Sequence, residues 1–205
     1  MHSGILELNG LSIDILDKLS YKSQLGINLK KNLHYFDKEA LLNELFAVSE
    51  WMDEQDILSE IALDYRVKSV ESILGKYARY YPDHQVRKVF NDILGFRAFC
   101  DNYEDVLEMS TDCMFHVADM SKGKSDDDGY RSVHLYFQKD NSYYPIEIQF
   151  NTLYDRQLNN WLHEYLYKKN FSDNVGKIMR KAYEAGKIKN VMEFEEVLNN
   201  VLLNC

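Results

Sequence analysis

The chain has 205 residues, 45% of them hydrophobic, with 15 Tyr, 10 Phe and a formal net charge of −9. That is enough for one α/β core and too acidic to wrap nucleic acid over a broad surface, although a small basic patch for a phosphate stays open. No apolar run approaches the roughly 20 residues that span a bilayer, and the start lacks the basic-then-apolar pattern of a signal peptide. The expectation is a cytoplasmic protein with no membrane partner. Cys100, Cys113 and Cys205 lack metal-ligand spacing and read as reduced thiols.

Gly4 and Gly10 mark a loose lead-in. Helical spacing predicts a helix over 11–25, broken at Gly26, then a further turn or two carrying Lys30 and Lys31. Asp37 reads as the N-cap of a helix over 38–53, with Leu41, Leu42, Leu45, Phe46 and Val48 as its buried stripe. Another helical stretch is predicted over 55–62. An extended piece over 64–68 leads into a helix over 69–80, ended by Pro82. Residues 92–100 read as a strand whose Gly95 signals a close approach. A helix over 102–113, a strand over 114–120 and a polar loop over 121–128 follow. Two strands, 130–139 and 143–152, are joined at a turn of Lys139, Asp140, Asn141 and Ser142. Helices over 153–169, 173–187 and 191–203 close the chain. The predicted class is α/β (α+β), a central mixed β-sheet of about five strands flanked by helices. The predicted division is a helical segment over 1–60, a core over 61–170 and C-terminal helices over 171–205, all in one compact domain.

Three clusters can carry chemistry. Arg66 and Lys68 precede Ser72, Lys76 and Arg79, and the last three project on one helix face. Such a row of cations with a hydroxyl suits a polyphosphate; spacing alone fits a solvated face as well. Asp92 and Glu147 are acids in apolar strands, where a carboxylate is costly without a partner. A shared Mg²⁺ would relieve their repulsion; separate ion pairs with Arg97 or Arg131 would do so equally. Gly129, Tyr130, Arg131 and Ser132, with His134, put an aromatic at a strand mouth, where it can stack on a base or serve as a core tyrosine. There is no P-loop, no dinucleotide-binding glycine motif and no zinc spacing, so any phosphate site is built from side chains.

In this order the clusters resemble the synthetase domain of the RelA/SpoT family. The matching stretches are Arg66-Val67-Lys68 with Ser72-Ile73 and Lys76, then Asp92 to Arg97, Gly129 to His134, Glu147-Ile148-Gln149, and the helix with Trp161 and His163. They cover about residues 60 to 170. The resemblance implies a nucleotidyltransferase-like synthetase fold and a pyrophosphokinase, in which ATP gives its β,γ-diphosphate to a ribose 3′-hydroxyl and leaves AMP. By likeness Arg66, Lys68, Ser72 and Lys76, with Arg79 beside them, hold the ATP phosphates, and Arg97 lies against adenine. Asp92 and Glu147 hold Mg²⁺ and, with Tyr130 stacked on the acceptor base, form the catalytic set. Arg131, His134, Gln149 and Asn151 line the acceptor pocket. Whether Glu147 also takes the 3′-hydroxyl proton stays open. With no adjacent His-Asp pair and no room for a hydrolase domain, the chain resembles the stand-alone small alarmone synthetases.

Two departures bear on the acceptor. Relatives carry a lysine before the Gly-Tyr-Arg-Ser motif, where this chain has Asp126, Asp127 and Asp128, and often an arginine where it has Asn151. Acids there would repel a 5′-phosphate by roughly 3 kcal/mol per pair at ~6 Å and an effective dielectric of ~20. The pattern is similar to the toxic members of toxin–antitoxin pairs, some of which modify the 3′-terminal CCA adenosine of tRNA and stop translation. A tRNA 3′ end is therefore the expected acceptor, with Lys30, Lys31, Lys122 and Lys124 as its basic handle and a cognate antitoxin as partner. The alternative is (p)ppGpp synthesis from GDP or GTP, or (pp)pApp from adenine nucleotides. A non-catalytic nucleotide-binding regulator is a distant third.

Overall fold

The computed structural model describes residues 4–26, 28–29, 36–81, 87–169 and 171–203. Helices α1 (Gly4–Leu8), α2 (Ile13–Lys18) and α3 (Lys38–Asp53) precede strand β1 (Asp64–Val67). Then come α4 (Val70–Tyr80), α5 (Arg87–Phe90), β2 (Leu94–Phe99), α6 (Glu104–Leu107), β3 (Phe115–Met120), β4 (Ser132–Phe137), β5 (Ile146–Asn151), α7 (Leu153–Tyr165), α8 (Asp173–Glu184) and α9 (Val191–Leu203). The strands form one sheet in the order β1-β2-β5-β4-β3. Strands β1 and β2 are antiparallel, with Arg66 opposite Gly95 and Asp64 opposite Arg97. Gly95 lies against Glu147, and the Cys100 N–H donates to the Asn151 carbonyl, so β2 and β5 run the same way. The sheet is therefore mixed, as expected, and of α+β type. Among the described residues no helix is long and apolar enough to cross a membrane.

The chain divides into two compact units. The first comprises Met1–Ala98, Glu104–Val117 and His134–Gln149; the second comprises Phe99–Tyr103, Ala118–Val133 and Phe150–Cys205. In the first, alternation puts Leu94, Phe96 and Ala98 of β2, Leu135 and Phe137 of β4, and Ile146 and Ile148 of β5 on the buried side. Leu41, Leu45, Val48 and Met52 of α3 are buried at helical spacing. The Asp37 carboxylate caps that helix by accepting from the Glu39 and Ala40 N–H groups. In the second unit, Leu158 and Leu162 of α7, Val175 and Met179 of α8, and Phe194 and Leu198 of α9 belong to one apolar cluster.

Several predicted elements shorten. The helix expected over 11–25 stops at Lys18, because the following residues are extended and bond to the hairpin turn instead. Ser23 N–H donates to Ser142 O, Leu29 N–H to Asn141 O, and Tyr144 N–H to Tyr21 O. Buried Glu44 anchors this segment, accepting from the Ser23 hydroxyl, the Gln24 N–H and the Tyr144 hydroxyl. These tertiary partners satisfy the backbone in an extended conformation and so override the local helix propensity. The stretch 102–113 is α6 followed by a 3₁₀ turn over Glu108–Thr111, and 55–62 holds only the 3₁₀ turn Asp56–Glu60. The strands expected over 130–139 and 143–152 reduce to β4 and β5.

Two helical glycines carry opposite expectations. A Cβ at Gly75 of α4 meets nothing within 4 Å, whereas one at Gly176 of α8 would stand 1.9 Å from the Asp128 carbonyl oxygen. Gly75→Ala is expected to stabilise by about 1 kcal/mol through helix propensity. Gly176→Ala should destabilise by about 2 kcal/mol or more, because backbone must move. Urea unfolding of both variants checks the pair.

Candidate active site

In the first unit, the sheet face opposite the core carries the polar residues. Glu147 stands at its centre on β5, and its side chain is 4% exposed. Four groups donate to the carboxylate. Arg66 Nη2 (3.2 Å) and Gln149 Nε2 (2.6 Å) reach Oε2, while the Tyr136 hydroxyl (2.8 Å) and His134 Nδ1 (3.0 Å) reach Oε1. Arg66 arrives from β1 across Gly95 of β2. A Cβ at Gly95 would stand 3.0 Å from the Glu147 carbonyl oxygen, so the glycine permits the close approach of β2 and β5 there; Arg66 Nε, at 3.8 Å, would be in ordinary contact. Burial by itself would raise the Glu147 pKa. The hydrogen bond and charge of His134, the Tyr136 hydroxyl and Arg66 outweigh it and hold the group at about 2. Glu147 is thus a fixed anion with every lone pair engaged.

Asp92 is bound differently. It lies two residues before β2, 7% exposed. Both Lys68 Nζ (2.5 Å) and Lys76 Nζ (2.8 Å) sit on its Oδ2, while its buried Oδ1 has no hydrogen-bond partner among the described residues. Lys68 follows β1, where its N–H donates to Ile93 O, and Lys76 projects from α4. Burial lowers the Lys68 pKa, with Asp92 opposing and Lys76 and Arg66 adding repulsion. Ser72 is exposed in the first turn of α4, where its N–H donates to the capping Ser69 hydroxyl. Arg79 is exposed at the far end of α4, 5.9 Å from the Tyr80 ring. Arg97 is exposed on β2. Neither acid pairs with Arg97 or Arg131: each has its own cations, and among the described residues no cluster of three or more metal-ligating side chains occurs.

The second unit holds the Gly129–Ser132 loop. Arg131 bonds Asp127 through both Nη atoms (2.7 and 3.2 Å), and Lys124 Nζ lies 2.6 Å from Asp128 and 4.9 Å from the Tyr130 ring centre. The backbone is held from beneath. Asn159 Oδ1 accepts the Arg131 N–H, and Asn159 and the buried Asn151 both donate to the Arg131 carbonyl. Arg180, 1% exposed, donates to the Gly129 carbonyl, Asp155 and Asn159. Tyr103 donates to the same Asp155, and burial, ahead of that bond, raises its pKa far above the ordinary tyrosine range. The acid run therefore does not present three bare charges: Asp127 and Asp128 are paired, and only Asp126 is left exposed without an ion pair among the described residues. Lys30 and Lys31 lie outside the described residues; Lys122 is exposed.

Sequence reasoning missed Tyr136, Asn159 and Arg180. Tyr136 faces the same side as His134 by strand alternation, a usable signal lost among 15 tyrosines. Arg180 sits among lysines and gave no sign of burial.

The family's sequence model, described as the region found in RelA / SpoT proteins, matches residues 65–172, just over half of the chain. The chain belongs to the RelA/SpoT family. It is accordingly an ATP-dependent pyrophosphokinase. No curated protein matches the chain. Among solved structures it is similar to small alarmone synthetase 1 from Bacillus subtilis bound to its product pppGpp, with 22% identity over 80% of this chain and 90% of that one and a TM-score of 0.43. It is also similar to small alarmone synthetase 2 from Bacillus subtilis (22% identity, 79% and 96% covered, TM-score 0.45). A GTP pyrophosphokinase family protein from Streptococcus pneumoniae matches at 20% identity, with 80% and 89% covered and a TM-score of 0.41. These superpositions are loose, and membership of the RelA/SpoT family rests on the matched segment.

Because Glu147 is held at about 2 against an ordinary 4.5, its contribution to this RelA/SpoT chain's stability is complete above pH 4.5 and is lost as pH falls toward 2. Thermal unfolding across that window should show a falling Tm in the wild type and a flatter profile in Glu147→Gln. Equal slopes would assign the acid sensitivity to another carboxylate.

Proposed function

We propose that the acceptor of this pyrophosphokinase is the 3′-terminal CCA adenosine of tRNA, whose ribose 3′-hydroxyl receives the β,γ-diphosphate of ATP. The observation that carries this reading is the pairing of charge around Tyr130. Arg131 is committed to Asp127, and Lys124 to Asp128 and to the Tyr130 ring. A free GDP or GTP brings several 5′ charges and needs uncommitted cations; both cations here are engaged, and Asp126 adds exposed negative charge. The terminal adenosine of an RNA presents one phosphodiester there and asks for less. Tyr130 then supplies a stacking face for the base.

On the donor side, Lys68 and Lys76 exchange Asp92 for the ATP phosphates, with Arg66 and Ser72 beside them and Arg79 further along α4. The Arg97 guanidinium offers a plane to adenine. The residues fit a magnesium ion. Asp92 has a buried oxygen with no donor, and Glu147 is ionised; Mg²⁺ asks for one or two carboxylates and fills its shell with phosphate oxygens and water. Held by Asp92, it would neutralise charge on the transferring group; Glu147, expected as a second ligand, has its lone pairs engaged and contributes its charge alone. A carboxylate held at about 2 is a poor proton acceptor at neutral pH, so Glu147 acts through its charge and not as a general base. His134 and Gln149 keep it oriented. Blocking the terminal ribose stops aminoacylation, which makes the enzyme a translation toxin and gives it a cognate antitoxin as partner.

The test pairs γ-labelled ATP and Mg²⁺ with deacylated tRNA in one reaction and GDP or GTP in another. Label on tRNA, abolished by prior oxidation of its 3′ end, is the expected result; label only on the guanine nucleotide would make this an alarmone synthetase. Tyr130→Ala and Asp92→Asn should each lower transfer by roughly a hundredfold or more; Tyr130→Ala should leave Tm little changed, Asp92→Asn should lower it because Lys68 and Lys76 lose their counter-ion, and Asp92→Asn alone should weaken the response to Mg²⁺.

A further inference from the structure

Between Lys168 and Lys189 the chain carries seven Lys and Arg against two Asp and Glu, a net +5 within a chain of net −9. The remainder therefore carries −14 (−9 less +5). Arg180 is not part of the surface charge, since it is buried on Asp155. Lys169, Lys177, Lys181, Lys187 and Lys189 are exposed. Lys177 and Lys181 stand one turn apart on α8, and Lys187 and Lys189 flank the buried Ile188. Among the described residues no ion pair uses any of these four. By contrast α9 is acidic, with Glu193, Glu195 and Glu196.

The strip begins at the loop that carries Tyr130. Gly176, which precedes Lys177, packs directly on Asp128, and a Cβ at Gly129 would stand 2.3 Å from the Gly176 carbonyl oxygen. Arg180 Nε donates to the Gly129 carbonyl. Lys177 is close enough for its charge to act on Asp127. The loop and the helix face are thus one rigid piece of the second unit. A lysine-rich face is ordinarily just solvated; this one is joined through Gly176 and Arg180 to the loop that carries Tyr130.

We propose that the face formed by Lys177 and Lys181, continued by Lys187 and Lys189, binds the sugar-phosphate backbone of the RNA whose 3′ end is presented to Tyr130. This rests on the reading of an RNA 3′ end as acceptor. Charge complementarity favours a polyanion at this face, and the acidic remainder of the chain disfavours one elsewhere.

The experiment measures binding of fluorescent deacylated tRNA by anisotropy over a range of salt, together with labelled transfer. Lys177→Glu with Lys181→Glu should flatten the slope of log affinity against log salt by about two, roughly a tenfold loss of affinity at low salt. KM for tRNA should rise, with kcat at saturation and KM for ATP unchanged. Lys187→Glu with Lys189→Glu should act in the same direction, and Lys177→Arg with Lys181→Arg should retain binding. Unchanged affinity and slope in the charge-reversed variants, or a wild type that does not bind tRNA, overturns the surface. A wild type whose tRNA binding depends on the strip but which labels only GDP or GTP keeps the surface and overturns the acceptor reading. Labelling of tRNA with the same KM in wild type and variants does the reverse.

Discussion

A carboxylate in the middle of a β-strand, cut off from water, is the constraint that shapes the polar sheet face of the first unit. Glu147 is tolerable only because four groups donate to it. Each donor fixes something else. Arg66 requires β1 beside β2 in the register that sets it opposite Gly95. Gly95 must be small because the Glu147 carbonyl oxygen stands 3.0 Å from where its Cβ would be. His134 and Tyr136 must share a face of β4, two residues apart. Asp92 shows the other regime: one oxygen holds two ammonium groups and the other holds nothing. A saturated anion is a fixed element of the electrostatics, whereas an anion with a spare buried lone pair and exchangeable cations can bind a ligand. The two acids are chemically alike and differ in how many donors the fold aims at them.

The second unit solves the same problem with the sign reversed. Arg180 is a buried cation, and its neutrality comes from Asp155, while its remaining N–H groups go to Asn159 and the Gly129 carbonyl. Tyr103 binds the same carboxylate from the start of the unit's sequence. The result is a loop held by its main chain. Arg131 contributes its N–H and C=O to asparagines and its guanidinium to Asp127, so the motif arginine is structural in its own loop. One side of α8 therefore carries a buried ion that clamps the loop, and the other carries lysines in water.

The strands, the Asp37 cap and the alternation of β4 and β5 were legible because period and capping are local properties. The acids Asp92 and Glu147 were legible because a charge in an apolar run is anomalous wherever it occurs. Their partners were not. Arg66 was seen as a phosphate ligand, and nothing in its neighbours reveals that it reaches residue 147. The helix expected over 11–25 failed for the same reason: Glu44 and the turn near Asn141 compete for that segment from far along the chain. Arg180 was invisible because burial of one arginine among lysines depends on a carboxylate 25 residues earlier. The run Asp126 to Asp128 was over-read as three free charges, since pairing with Lys124 and Arg131 at i,i+4 spacing decides their effect.

An acidic protein that handles polyphosphates looks contradictory only if net charge is the relevant quantity. At physiological ionic strength charges are screened over roughly 8 Å, so a substrate responds to the few groups within that distance and not to the total of −9. Lys68, Lys76 and Arg66 crowd together in the first unit against two acids, closely enough that Lys76 and Arg66 add to the burial that lowers the Lys68 pKa while Asp92 opposes it. That cluster is unstable in the useful sense: cations forced together by the fold are released from strain by any ligand with more negative oxygens than one aspartate offers. Phosphates meet that condition. The composition argued against broad wrapping of nucleic acid and could say nothing about such a site, because composition averages over distances far longer than those at which the charges act.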